Sequence, residues 1–71
     1  MKVDVDTIFD AYRNAWQALK TKLKTESSLE VHNKFPREYN VKLHYSGGHM
    51  RLTHIEFPSD AAFTWFIMRW S

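Results

Sequence analysis

Four histidines, His32, His44, His49 and His54, are the side chains in this 71-residue chain that most invite a chemical reading. Imidazole is the commonest protein ligand for metals and titrates closest to neutral pH. Their spacing argues against a metal centre. His44, His49 and His54 recur at intervals of five, which fits neither ligand pairs on one helix face nor known zinc-site spacings. On a hairpin closed at Gly47-Gly48, His44 and His54 fall on opposite faces and His49 sits at the turn. Cysteine is absent, which removes thiolate sites, a disulfide framework and a Cys nucleophile. No metal and no cofactor is expected.

Catalysis finds no better footing. There is no nucleophile elbow, no phosphate-cradling glycine loop and no pair of carboxylates set for acid–base work. Ser46-Gly47-Gly48-His49 has the composition of a backbone nest for an anion, but a hairpin turn accounts for the same residues without a ligand. A domain this small has little room for a substrate pocket. The expectation is a protein that is not an enzyme.

Cationic side chains offer a different chemistry. Ten Lys and Arg against eight Asp and Glu leave a formal charge of +2, with an isoelectric point near 9.1. Two rows stand out. Arg13, Gln17, Lys20 and Lys24 recur at steps of four, three and four, one face of a helix. Lys42, His44 and Arg51 share the outward face of the hairpin, with His32 and Lys34 beside them if residues 29–35 join the sheet. Such rows contact phosphates. They define an alternative function, a nucleic-acid-binding regulator using Arg13, Lys20, Lys24, Lys42, His44 and Arg51.

The elements that would position these residues can be read from periodicity. Val5, Ile8, Phe9, Tyr12, Trp16, Leu19 and Leu23 recur at helical steps, which predicts a helix from Val5 to Leu23 or Lys24. Asp4 or Asp6 caps its start, and Lys20, Lys22 and Lys24 suit the negative end of its dipole. Thr25-Glu26-Ser27-Ser28 reads as the exit. Residues 29–35 alternate apolar and polar, which predicts a strand stopped by Pro36. Residues 39–45 alternate again, and residues 50–57 return after the turn. That hairpin pairs Tyr45 with Met50, Leu43 with Leu52, and Val41 with His54. Ile55 and Phe57 then have the wrong parity for the core, and a bulge near Thr53-His54 would restore them. Ser59 as cap, Asp60 and two alanines predict a closing helix, despite the strand formers in residues 63–67. The fold class is α+β: a two-layer helix–β-hairpin–helix with two or three antiparallel strands and the helices on one face. Residues 1–71 form a single small domain.

The last helix carries more large apolar side chains than one face can bury. Phe63, Phe66, Ile67 and Trp70 form a stripe, which leaves Ala61, Trp65 and Met68 on another side. Exposed apolar patches mark interfaces, and Trp, Met and Arg are favoured there. The leading expectation is therefore a non-enzymatic inhibitor or modulator that docks on a larger protein partner, or on itself as a homodimer. Its contact residues would be Trp65, Met68, Arg69 and Trp70. Size and composition suit a free-standing accessory product of the phage or mobile-element kind. No apolar run is long enough to cross a bilayer. Met1–Asp6 carries acid where a signal peptide carries basic residues. The expected setting is the cytoplasm, with no membrane partner.

Overall fold

The computed structural model describes residues 1–47 and 51–71. A short strand β1 (Lys2–Asp4) leads through one turn of 3-10 helix (Val5–Ile8) into α1 (Phe9–Leu23). Next in the chain come α2 (Ser28–Tyr39), β2 (Lys42–Tyr45), β3 (Leu52–Glu56) and α3 (Asp60–Trp70). Among the described residues, three α-helices pack on an antiparallel sheet of order β1-β3-β2. The α+β class is as expected from the sequence; the number of helices and the identity of the third strand are not.

Residues 29–35 are not a strand. They form the body of α2, so His32 and Lys34 lie on a helix rather than on the sheet. Ser27 Oγ accepts from the Glu30 amide at 3.3 Å, which closes the helix start. Val31 and Phe35, one turn apart, are both fully buried, while Leu29 points to solvent. Pro36 does not stop the segment but sits inside its last turn. Asn40, in the left-handed region at φ 54°, ends the helix. Its amide and that of Val41 both bond to the Pro36 carbonyl, which satisfies part of the C-terminal turn. Tyr39, expected to open a strand, is the last residue of this helix.

The third strand comes instead from the N-terminus. Lys2, Val3 and Asp4 pair with Glu56, Ile55 and His54. Reciprocal bonds of 2.7 Å between Met1 and Phe57 extend the ladder. Asp4 then caps the 3-10 turn, accepting from the Asp6 amide at 2.9 Å while its carbonyl takes the Thr7 hydroxyl at 2.7 Å. The predicted stripe of α1 meets the core, with Tyr12, Trp16 and Leu23 packed against the buried residues. Val5, Ile8 and Leu19 are buried together with Ala11 and Ala15, and of the stripe only Phe9 is half exposed. The small alanines let α2 and α3 approach α1 closely.

In the hairpin, the Ser46 amide bonds to the Arg51 carbonyl at 2.8 Å, so Tyr45 faces Leu52, not Met50. Gly48, His49 and Met50, and with them the expected two-residue turn, lie outside the described residues. The register then shifts between His44↔His54 and Tyr45↔Leu52, which leaves Thr53 as the extra residue of a bulge. The Thr53 hydroxyl donates to the His44 carbonyl at 3.2 Å, and His54 Nδ1 lies 3.0 Å from the same hydroxyl oxygen. Because that hydroxyl's proton is spent on His44, His54 Nδ1 is the donor in the second bond. The bulge has the effect expected of it: Ile55 is 0% exposed and Phe57 2%. It also turns His54 outward, so His44 and His54 are cross-strand partners on one face rather than on opposite faces.

Val3, Leu43, Ile55 and Phe57 thus meet the helices, and Lys2, Lys42, His44, His54 and Glu56 form the open face. The aromatic rings join the layers. Phe35 contacts Tyr12, Trp16 and Tyr39 with centroids 5.4, 6.2 and 4.7 Å away, and Phe57 meets Phe63 and Phe66 at 5.3 Å each. Among the described residues, no helix is long and apolar enough to cross a membrane.

Candidate functional site

Helix α3 starts at a cap of the expected kind, with Ser59 Oγ accepting from the Ala62 amide at 3.1 Å. From that start its residues take fixed directions. Phe66 is buried, and Phe63, Ile67 and Trp70 pack half-buried against the core. Trp65 and Met68, one turn apart, point away and are 67% and 74% exposed. An indole and a thioether thus stand in water on a helix whose opposite side is the core.

Beside them runs a groove of about 640 Å³ between α3, α1 and the end of α2. Trp65, Arg69 and Trp70 form one wall; Ala18, Lys22 and Tyr39 lie across from them. Of the four contact residues expected from sequence, the groove unites Trp65, Arg69 and Trp70, and Met68 lies outside it on the exposed ridge. The Arg69 guanidinium sits 5.0 Å from the Trp70 ring centre, a cation–π arrangement. Asn14 of α1 donates to the Trp70 carbonyl at 2.7 Å and so ties down the C-terminal turn. Tyr39 meets Phe66 and Trp70 edge-on at 5.8 Å each, and its hydroxyl donates to the Ala15 carbonyl at 2.8 Å. Burial, with the Glu38 carboxylate nearby, pushes the Tyr39 phenol up to about 12, and the Arg69 charge opposes that rise in part.

Beside the groove lies a second, more open hollow of about 260 Å³ between α1 and α2. Leu19 and Leu23 floor it, and Lys22, Lys34, Arg37 and Glu38 rim it. Lys22 and Glu38 belong to both hollows and form an ion pair. None of Lys22, Lys34, Arg37 or Tyr39 emerges from the sequence as a site residue of this surface. A strand over residues 29–35 cannot place Lys34 and Arg37 beside α1. The Ser27-x-x-Glu30 capping signal could have done so.

The expected nucleic-acid residues are dispersed. Arg13, Lys20 and Lys24 lie along α1, but Arg13 is 4.0 Å from Asp10 and Lys20 is 3.6 Å from Glu26. Lys24 is its left-handed C-cap. Lys42 and His44 share the open sheet face, and exposed Arg51 stands opposite Ser46 at its hairpin end. Acid interrupts that face too. Asp4, His54 and His44 form one cross-strand row, and Lys2, Glu56 and Lys42 the next. Among the described residues, no three His, Asp or Glu side chains come together as a metal site.

One hydrogen-bonded pair on that face has a measurable signature. His44 Nε2 lies 2.8 Å from Glu56 Oε1, and an ionised carboxylate only accepts, so His44 Nε2 carries the proton. That bond is the main cause holding the Glu56 carboxyl below its usual value, and burial opposes it. The interaction is therefore present above the ordinary Glu range and is lost as pH falls through the depressed value. In His44→Ala, the Glu56 titration midpoint is expected to rise toward that of a free side chain. Carboxyl carbon NMR shifts read this directly, and an unchanged midpoint would refute the pairing.

No protein family, curated protein or solved structure matches the chain.

Proposed function

We propose that the protein is a non-enzymatic binding module, an inhibitor or modulator, that docks on a larger protein partner through α3. The observation that carries this reading is the exposure of Trp65 and Met68, 67% and 74%, beside a groove walled by aromatic side chains. Burying a large apolar side chain in an interface gains roughly 1.5–3 kcal/mol over leaving it in water, so such residues at the centre of a patch dominate binding energy. Trp70 and Arg69 supply the edge of the same surface. Exposed positions on a capped helix also change with little cost to the fold.

The decisive experiment compares wild type with Trp65→Ala/Met68→Ala in affinity capture from the native host, with mass spectrometry of the retained proteins. The double variant is expected to fold normally by circular dichroism and to lose the retained protein. Undiminished capture by the folded double variant would overturn the reading. A second copy of the chain as the retained species would identify a homodimer.

A further inference from the structure

We propose that the partner presents an acidic amphipathic segment, with apolar side chains in the α3 groove and carboxylates along the rim running from Arg69 to Arg37. The inference rests on the docking role of α3 and adds to it the chemistry of the occupant. The two hollows are neighbours that share Leu19, Lys22 and Glu38, and together they form a trough with the Lys22–Glu38 ion pair between its halves. Its floor is apolar: Ala18, Leu19 and Leu23 of α1, and Phe66 of α3. Its rim carries four cations, Lys22, Lys34, Arg37 and Arg69, against one lining carboxylate, Glu38.

Ion pairing within the protein does not cancel this excess. Glu38 pairs with Lys22, and Glu30 lies 3.6 Å from Lys34. Arg37 and Arg69 have no carboxylate within ion-pairing distance among the described residues. The trough therefore keeps two guanidiniums, one lining each hollow, in a chain with a formal charge of only +2. Guanidinium pairs bidentately with carboxylate, and Arg69 is already oriented by the Trp70 ring. A phosphate backbone fits less well. Glu38 stands among the rim cations, where its carboxylate repels phosphate. A segment alternating apolar anchors with acid satisfies floor and rim together.

The test uses two synthetic peptides of about 15 residues, a length at which isolated helices begin to hold. Both carry Leu at i, i+4 and i+7; one carries Glu and the other Lys elsewhere. Fluorescence anisotropy with the intact protein is expected to give about tenfold tighter binding of the Glu peptide at low salt, a gap that narrows as salt screens the rim. Lys34→Glu/Arg37→Glu, both exposed on α2, should abolish the preference while leaving the circular dichroism unchanged. The Glu peptide with Leu replaced by Ala should not bind. Equal affinity for the Glu and Lys peptides overturns the proposal, and if Trp65→Ala weakens both, the docking face itself stands. Binding of neither peptide also overturns it, and host capture then judges the docking face separately. Tighter binding of an oligothymidylate than of the Glu peptide would replace a protein segment with nucleic acid as the occupant.

Discussion

Phe35→Ala is expected to remove a large share of the chain's stability. Phe35 is 0% exposed and its ring touches those of Tyr12, Trp16 and Tyr39. Truncating such a ring costs about 3–5 kcal/mol through lost burial and the cavity left behind. At the usual roughly 0.05–0.15 kcal/mol per residue, a chain of this length has about 4–11 kcal/mol in total. Urea unfolding monitored by tryptophan fluorescence should show the midpoint collapse. Leu29→Ala is the matched control. Leu29 is 68% exposed, and its truncation should move stability by no more than about 0.5 kcal/mol. The pair of variants also separates two conformations. On a strand, Leu29 and Phe35 share a face and both truncations are costly; on α2 only the second is. Similar large losses in both would contradict the helix.

That contrast marks where local pattern stops being a guide. Leu29, Val31 and Phe35 satisfy a period of two, and Val31, Phe35 and Tyr39 satisfy a period of four equally well. Pro36 reads as a stop to the segment, because proline in a helix interior loses a hydrogen bond. Here tertiary burial of Val31 and Phe35 outweighs that loss. β1 is illegible for another reason: three residues are too few for alternation to register, and only pairing with β3 makes Lys2–Asp4 a strand. Where several signals coincide, the reading holds. α1 has period and charge polarity, α3 has a Ser59 cap and then Asp60, and the parity conflict at Ile55 points to the bulge at Thr53.

The site is legible in half. Exposure of Trp65 and Met68 can be read from α3 alone, since a helix buries one side and these residues occupy the other. The trough cannot, because it needs α2 packed beside α1. Lys34 and Arg37 have no place near Arg69 until residues 28–39 are helical. The histidines show the same limit in reverse: one unpaired residue, Thr53, decides whether His44 and His54 share a face.

The protein is expected to lose stability between pH about 10 and about 12, with Tyr39 a principal cause. Burial lifts both the Tyr39 and the Tyr12 phenols to about 12, against an ordinary value of 10.0. A phenol whose folded value lies above its unfolded one favours folding fully below the unfolded value. That preference is lost as pH rises through the folded value, because the unfolded chain releases its proton first. For Tyr39 the cause is visible in the structure. Its hydroxyl donates to the Ala15 carbonyl at 2.8 Å, and a phenolate has no proton to give. Tyr39→Phe should therefore be less stable than wild type near neutral pH, by about 0.5–1.5 kcal/mol for the lost bond. The gap should close as pH climbs, because the variant has one fewer group to ionise. Urea midpoints across the alkaline range, with tyrosinate absorbance as an internal count, measure both halves. Parallel curves for the two proteins would show that Tyr39 ionises without strain. A converging pair would place the alkaline weak point where Tyr39 joins α1, α2 and α3, at the wall of the trough. Tyr39→Phe keeps the ring that meets Phe66 and Trp70. Only the hydroxyl is removed, so convergence reports the bond to Ala15 and not a disturbed aromatic core.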